Sequence, residues 1–197
     1  IVRAYLKKFS NEVNAVVLSG SPSDNQLAGF GKRLIRFMAL FRGWNYRSPM
    51  IEKMVNGPFE KPFMKEGIVN AWICSDRDVV EEYNKDPLCG VTFTLNGYYA
   101  LFSLIQTVYS KLGWSKKNRD LPVMFVSGEN DPCRQGDKAF KKAVLHFKHC
   151  GFPNTFSKVY KGMRHEVFNE KNASEVYEDI LKFLEIKAGI EDIRYQD

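Results

Sequence analysis

The stretch that most constrains the fold is 122–132, which reads Pro-Val-Met-Phe-Val-Ser-Gly-Glu-Asn-Asp-Pro. Its apolar part, 123–126, shows no polar alternation, which is typical of an interior strand of a parallel sheet with both faces covered. Gly128 ends this strand, and Pro132 holds Asp131 in an extended conformation. Ligands of open α/β sheets bind beyond the carboxyl ends of the strands, so Asp131 is a candidate catalytic residue. An Asx turn that only caps the loop is the alternative interpretation.

A second short strand is predicted at 156–160, and His165 follows it. Between the two strands, 137–150 has apolar residues at helical spacing and is followed by Gly151, a typical helix stop. The apolar stripe consists of Phe140, Val144 and Phe147. A strand, a helix and a strand in this order predict adjacent parallel strands. We therefore expect Asp131 and His165 at the same edge of the sheet, as an orienting acid and a general base require.

These loops resemble the acid and base loops of the α/β-hydrolase superfamily, specifically its monoacylglycerol lipase and lysophospholipase branch, with hydrolases of the S33 serine aminopeptidase type. The segments that carry the resemblance are 127–132, 162–166, 72–76, 86–90 and 16–20. They span nearly the whole chain. The resemblance implies a parallel sheet with flanking helices and a triad in the chain order Ser, Asp, His. It implies that Asp131 is the acid and His165 the base of that triad.

The nucleophile motif of this family, Gly-x-Ser-x-Gly, does not occur in the 197 residues. Ile1 to Phe9 is similar to the helix that follows the nucleophile, so we expect the serine and the oxyanion hole to lie upstream. The chain is thus interpreted as an α/β fold, the C-terminal part of an α/β hydrolase with a helical cap insertion, inactive by itself. We assign 1–24 and 119–197 to the hydrolase core and 25–118 to the cap.

The cap is predicted because no further strand pattern occurs before Pro122, and so long an interval is not a structureless loop in a compact domain. Within it, 27–42 is an amphipathic, basic helix, 96–112 is a long helix, and 44–62 is predicted to be a packed loop. Candidates for lining an acyl pocket are Phe30, Leu34, Met38, Phe41, Tyr98 and Leu101. Packing against the core is the alternative for these residues, and transient contact with a membrane surface is another for the basic helix.

Several smaller elements complete the prediction. The first helix is expected to bury Val2, Tyr5, Leu6 and Phe9, and 13–18 is a short strand. A capping box at 75–78 opens a short helix in the cap, and a similar pattern at 172–175 opens the last helix. The core stripe of that last helix consists of Val176, Ile180, Phe183 and Leu184.

The resemblance implies that the upstream serine attacks an ester, while His165 transfers its proton to the leaving alcohol and Asp131 holds the imidazole tautomer. The apolar cap favours a small lipid ester, monoacylglycerol or lysophospholipid, as the substrate. An S33-type peptidase is the first alternative, although a peptide amine requires a carboxylate in the cap. A non-catalytic binding module is the second, if the chain natively starts at Ile1.

Composition limits the remaining functions. With 44% hydrophobic and 26% charged residues, the chain is predicted to be a soluble domain with an insertion. No apolar run is long enough for a membrane span, and no signal-peptide pattern opens the given sequence, which leaves an upstream signal open. The net charge of +6 comes from scattered lysines, which predicts no nucleic-acid partner. The four cysteines lack metal-binding spacing, which favours reduced thiols in a cytoplasmic protein without metal or cofactor. His146 and His149 lack further metal ligands nearby, and Cys133 is interpreted as a small loop residue.

Overall fold

The computed structural model describes residues 1–188 and contains a parallel sheet of three strands in the order β1-β2-β3. The strands are β1 (Val16–Ser19), β2 (Val123–Gly128) and β3 (Thr155–Tyr160). All residues of β2 are buried, which confirms the interior strand predicted from its apolar run. β1 begins later than the predicted strand at 13–18. The end of the predicted third segment, 189–197, lies outside the described residues.

Seven α-helices accompany the sheet in the described part of the chain. They are α1 (Val2–Phe9), α2 (Ala28–Arg42), α3 (Pro49–Glu60), α4 (Arg77–Lys85), α5 (Leu95–Tyr109), α6 (Gly136–His149) and α7 (Ala173–Ala188). None of these helices is long and apolar enough to cross a lipid bilayer. The helices α2 to α5 all lie between β1 and β2 in the chain, where the sequence predicts the cap.

The sheet separates two apolar layers, because successive side chains of a strand point to opposite faces. Val123 and Phe125 of β2 belong to a core cluster with residues of α1 and α6. Met124 and Val126 belong to a second cluster with residues of α7. The predicted stripes of α6 and α7 are confirmed, since their members lie in or against these two clusters. The architecture is therefore a parallel sheet with helices on both faces.

Helix α1 buries a different face from the predicted one. Of the four residues expected inside, only Leu6 is buried. Arg3 and Lys7 are buried instead, and their cationic groups donate hydrogen bonds to the carbonyl oxygens of Pro22 (2.7 Å) and Thr107 (2.6 Å). Long basic side chains can cover apolar surface with their aliphatic stems while their charged ends find acceptors. The spacing of apolar residues in the sequence therefore does not predict that Arg3 and Lys7 are buried.

Helices α2 and α5 pack closely against each other in the cap. The buried residues of α2 are Ala28, Gly31, Ile35 and Ala39, rather than the predicted stripe. A Cβ atom at Gly31 would lie 2.5 Å from the ring of Phe102, so the α2 backbone approaches α5 too closely for a larger side chain. Phe30 and Phe41 are 62% and 73% exposed. The small residues of α2 therefore decide which face is buried.

Helix α3 occupies the segment predicted to be a packed loop, so that prediction was wrong. The Ser48 hydroxyl accepts a hydrogen bond from the backbone N–H of Ile51 at 3.3 Å, and Pro49 stands at the first helical position. Both features favour the start of a helix. Pro58 lies within the last turn of α3, where it disturbs the helix less than it would at the centre.

The helix α4 starts one residue later than the predicted capping box implies. Its N-cap is Asp76, whose carboxylate accepts the backbone N–H of Asp78 at 3.1 Å. Ser75 does not cap the helix, because its hydroxyl donates to the carboxylate of Glu170 in a different part of the chain. A tertiary contact thus displaces a local one.

Candidate active site

Asp131 follows the carboxyl end of β2, and its side chain is fully buried. One carboxylate oxygen, Oδ1, accepts the backbone N–H of Cys133 at 2.8 Å. The other, Oδ2, accepts the hydroxyl of Ser127 at 3.2 Å. The contact with Cys133 is the Asx turn that sequence offers as the local interpretation of this residue. The turn leaves the carboxylate able to accept a further bond.

His165 lies in the loop after β3, with its Nδ1 atom 3.1 Å from Oδ1 of Asp131. The imidazole side chain is 27% exposed. Because an ionised carboxylate can only accept hydrogen bonds, Nδ1 carries a proton and donates a hydrogen bond to Asp131. In the neutral imidazole with this tautomer, the second ring nitrogen, Nε2, has a free lone pair and can act as a base. The structure thus brings the two predicted side chains together, while their catalytic roles stay predictions.

The loop that carries His165 lies directly on the end of β2. A Cβ atom at Gly128 would lie 2.1 Å from the carbonyl oxygen of Arg164, so only glycine allows this approach. The backbone N–H of Asn130 also donates to the carbonyl oxygen of Met163 at 2.9 Å. The acid loop and the base loop are therefore fixed to each other through their backbones, next to the pair that they carry.

Two residues that the sequence did not single out contact the imidazole. Gly20 follows β1 with a φ of +57°, and a Cβ atom there would lie 2.6 Å from Cε1 of His165. The ring of Trp72 lies 5.1 Å from the imidazole, centroid to centroid, and its carbonyl oxygen accepts the backbone N–H of His165 at 3.4 Å. Gly20 and Trp72 each belong to a family-like segment, 16–20 and 72–76, which is the sequence signal for these contacts.

A largely apolar cavity of about 450 Å³ opens between the carboxyl end of β1 and helix α5. Its lining from α5 includes Leu101, Leu104, Ile105 and Val108, and its floor includes Leu18 and Gly20. Gly20 also contacts the imidazole, so the cavity and the candidate base share this residue as a neighbour, although His165 itself is not among the lining residues. No acidic side chain is among its lining residues in the described chain.

Of the six predicted pocket residues, only Leu101 lines this cavity, and the role of all six in binding an acyl chain stays a prediction. Phe30 and Phe41 lie exposed on α2, and Tyr98 is buried in the cap core. Leu34 and Met38 pack against the edge of the same core. The reason is the orientation of α5, which presents one side to α2 and another to the cavity.

The other histidines lie away from the Asp131–His165 pair. The His146 ring nitrogen Nε2 is 3.2 Å from the carbonyl oxygen of Val108, and burial lowers the pKa of this imidazole. His149 is exposed at the end of α6.

Cys133 is the third potential metal ligand at the pair, since its sulfur lies within 4.8 Å of donor atoms of Asp131 and His165. Burial, reinforced by the charge of Asp131, raises the pKa of the Cys133 thiol far above its ordinary value. The thiolate is the form that attacks carbonyls and binds metal ions. Cys133 therefore remains a neutral thiol near neutral pH, in keeping with its interpretation as a small loop residue.

Comparisons with known proteins agree on the fold. The sequence model of the serine aminopeptidase S33 family matches residues 1–172, whereas no curated protein sequence matches the chain. The chain is similar to a thermostable carboxyl esterase from Bacillus coagulans, with a TM-score of 0.76 and 19% sequence identity; the match covers 94% of the present chain. It is also similar to a soluble variant of monoglyceride lipase from Saccharomyces cerevisiae (TM-score 0.63, 17% identity, 93% coverage). A third similar structure is the monoacylglycerol lipase of Paleococcus ferrophilus (TM-score 0.61, 16% identity, 93% coverage).

The chain spans 61%, 60% and 63% of the length of these three proteins, respectively. At such low identity the likeness concerns the fold, and it confirms the predicted α/β-hydrolase architecture. The family assignment is independent of it, because the sequence model covers 172 of the 197 positions. The chain belongs to the serine aminopeptidase S33 family and has the α/β-hydrolase fold.

Proposed function

We propose that this chain supplies the acid and the base of a serine carboxylic-ester hydrolase. The observation that carries the proposal is the buried carboxylate of Asp131, 3.1 Å from Nδ1 of His165 at the carboxyl edge of a parallel sheet. An imidazole held in this way can take a proton from a hydroxyl nucleophile through Nε2. We further propose that the nucleophilic serine and the oxyanion hole come from a segment upstream of Ile1.

In the proposed reaction, the serine oxygen attacks the ester carbonyl while its proton passes to Nε2 of His165. Asp131 stabilises the resulting imidazolium and holds its orientation. The imidazolium then gives the proton to the leaving alcohol, and an acyl-enzyme remains. A water molecule, deprotonated by the same nitrogen, attacks the acyl-enzyme; the imidazolium returns this proton to the serine oxygen as the bond to the acyl carbon breaks, and the carboxylic acid is released. In this scheme the base acts twice and the acid stays ionised throughout.

The proposed substrate is a small lipid ester, monoacylglycerol or lysophospholipid. The cavity beside His165 is apolar and has a volume of about 450 Å³, which suits an acyl chain. Each buried methylene contributes about 0.8 kcal/mol, so kcat/KM should rise with acyl length until the cavity is full. A peptidase that binds a free amine requires a carboxylate, and the described cavity lining offers none. This observation favours an ester over a peptide within the family.

We also propose that helix α2 makes transient contact with a membrane from which such a lipid is taken. Its exposed apolar side chains include Phe30, Phe37, Leu40 and Phe41, which are 61–80% exposed. The helix carries four basic residues and no acidic one. A helix with an apolar stripe and positive charge binds at the surface of anionic bilayers.

The catalytic proposal is tested with ester substrates in the full-length protein. His165→Ala should abolish nearly all turnover, because Nε2 of His165 is the acceptor of the serine proton in the proposed mechanism. Asp131→Asn should lower kcat by about 10⁴, the loss found in serine proteases when the acid becomes an amide. A fluorophosphonate probe should label a serine upstream of Ile1 and none within the 197 residues.

His146→Ala and His149→Ala serve as controls, because both histidines lie on α6 away from the pair. We expect each to keep kcat within about twofold of the wild-type value, as is usual for changes outside a site. If either variant proved inactive while His165→Ala kept most activity, the assignment of the base would be wrong.

A further inference from the structure

The loop that carries His165 rests on a segment of the cap. The backbone N–H of His165 donates to the carbonyl oxygen of Trp72 at 3.4 Å, and that of Glu166 donates to Ile73 at 2.7 Å. We call residues 66–75 the brace segment. It belongs to the long interval between β1 and β2, so the cap contacts the candidate base directly.

Arg164, which precedes His165, binds the brace segment through its side chain. Its guanidinium forms two bonds with the carboxylate of Glu66, a pairing that fixes orientation as well as distance. It also donates to the carbonyl oxygens of Ala71 and Cys74 and lies 4.3 Å above the ring of Phe63. One side chain of the base loop thus holds several points of the brace segment.

Glu170 contacts the other end of the brace segment, at Ser75, and is only 5% exposed. Its Oε1 atom accepts the backbone N–H of Arg164 at 2.7 Å and that of Ser75 at 3.0 Å. Its Oε2 atom accepts the hydroxyl of Ser75. A buried carboxylate is tolerated when such bonds satisfy it. Glu170 is therefore the group that joins the base loop to the end of the brace segment.

We propose that Glu170 is a positioning residue for His165, and this proposal rests on the function proposed above. By tying Arg164 to Ser75, Glu170 keeps the base loop against the brace segment and the imidazole within hydrogen-bonding distance of Asp131. Without the carboxylate, two partly buried backbone N–H groups lose their acceptor, one of them in the residue next to His165. A shift of about 1 Å in a reacting group costs on the order of 10²-fold in rate.

The first experiment compares Glu170→Ala with Glu170→Gln in the full-length protein acting on a monoacylglycerol. Glu170→Ala should lower kcat by about 10²-fold and leave KM within about twofold, because Glu170 does not line the acyl cavity. Glu170→Gln should restore most of kcat, since its amide oxygen can accept both backbone N–H groups and its NH₂ can donate to the Ser75 hydroxyl. Glu178→Ala, which removes an exposed carboxylate from α7, is the matched control.

The second experiment follows the Nδ1 proton of His165 by NMR, because a proton shared with a carboxylate resonates at low field. We expect this resonance to be lost or shifted upfield in Glu170→Ala and retained in Glu170→Gln and Glu178→Ala. A purely structural role would lower the melting temperature but leave the resonance of the folded protein in place. A folded Glu170→Ala variant with wild-type kcat and resonance would overturn the proposal.

If Glu170→Ala does not fold, Ser75→Ala tests the proposal instead. It removes one of the three hydrogen bonds that Glu170 accepts and leaves the carboxylate in place. We then expect a smaller loss of kcat together with an upfield shift, and wild-type values for both would overturn the proposal. The resonance does not depend on ester hydrolysis. Failure of the full-length protein to hydrolyse any ester would therefore contradict the proposed function, while the NMR comparison would still test the positioning role.

Discussion

A single methyl group at Gly20 would test whether the imidazole of His165 is confined as the structure shows. An added Cβ atom would lie 2.6 Å from Cε1, 3.1 Å from Nδ1 and 3.2 Å from Nε2 of His165. Ordinary carbon contacts begin near 3.4 Å, so the ring must move by about 0.8 Å or the strand end must shift. The rigid end of β1 and the ring of Trp72 limit both movements.

Gly20→Ala should therefore reduce kcat by about 10²-fold, the cost of misplacing a catalytic group by about 1 Å, which corresponds to about 2.7 kcal/mol in the barrier. The φ of +57° at Gly20 adds a cost of about 1–2 kcal/mol in stability, because a side chain is disfavoured in this conformation. Gly43 offers a matched control. It has a φ of +77°, and a Cβ atom there meets nothing within 4 Å.

The assay is the kcat for ester hydrolysis of both variants in the full-length protein, together with their melting temperatures. Gly43→Ala should lose at least as much stability from backbone strain, because its φ of 77° and ψ of 161° are adopted almost only by glycine, but only Gly20→Ala should lose activity. If Gly20→Ala kept a kcat within a few fold of that of Gly43→Ala, the close contact between β1 and the imidazole would not constrain the base, and our reasoning would be refuted.

Three further predictions concern the cap and the pH dependence of stability. Replacing Phe37 and Phe41 together by serine should weaken cosedimentation with phosphatidylserine vesicles at least about tenfold, because each buried aromatic side chain contributes about 1.5–3 kcal/mol; unchanged binding would exclude α2 as the contact. Gly31→Ala should lower the free energy of unfolding in urea by about 1–3 kcal/mol, since its methyl group meets a ring of α5 at 2.5 Å. Gly29→Ala, which meets only a flexible amide at 3.2 Å, is the control and should be neutral or stabilising. Because burial lowers the pKa of His146, its contribution to stability is complete above its ordinary pKa of about 6.5 and is lost as the pH falls below that value. The melting temperature should therefore fall more steeply with acidification in the wild type than in His146→Asn, and parallel curves would contradict this.

Elements whose burial depends on large apolar residues could be predicted from the sequence. The run 123–126 gave the interior strand, and the stripe of α6 gave the helix beside it. Helices α1 and α2 were different, because Arg3 and Lys7 supply much of the buried face of one, and small residues such as Gly31 supply that of the other. Helix α3 was missed because Gly57 and Pro58 indicated a loop, although Ser48 is a favourable N-cap residue for a helix.

The candidate site likewise contains residues that the sequence predicts and residues that it does not. Asp131 and His165 could be placed together because each follows a strand, and neighbouring parallel strands end at one edge of the sheet. Only the folded arrangement brings Ser75 and Glu170 into contact, so local patterns contain no record of that contact.

The helical part of the insertion, from the exit of the chain after β1 to the end of α5, begins and ends at one place near the carboxyl edge of the sheet, and this has a consequence for the evolution of the protein. The carbonyl oxygen of Pro22, where the chain leaves the core, accepts the hydroxyl of Tyr109 at the end of α5 at 2.8 Å. An insertion with adjacent ends can be lengthened, shortened or exchanged without changing the pairing of Val16 with Val123. Chimaeras that carry the cap of a relative should therefore retain the sheet and acquire new substrate ranges. Because the brace segment lies within this insertion, turnover should be retained where the exchanged helices leave residues 66–75 in place.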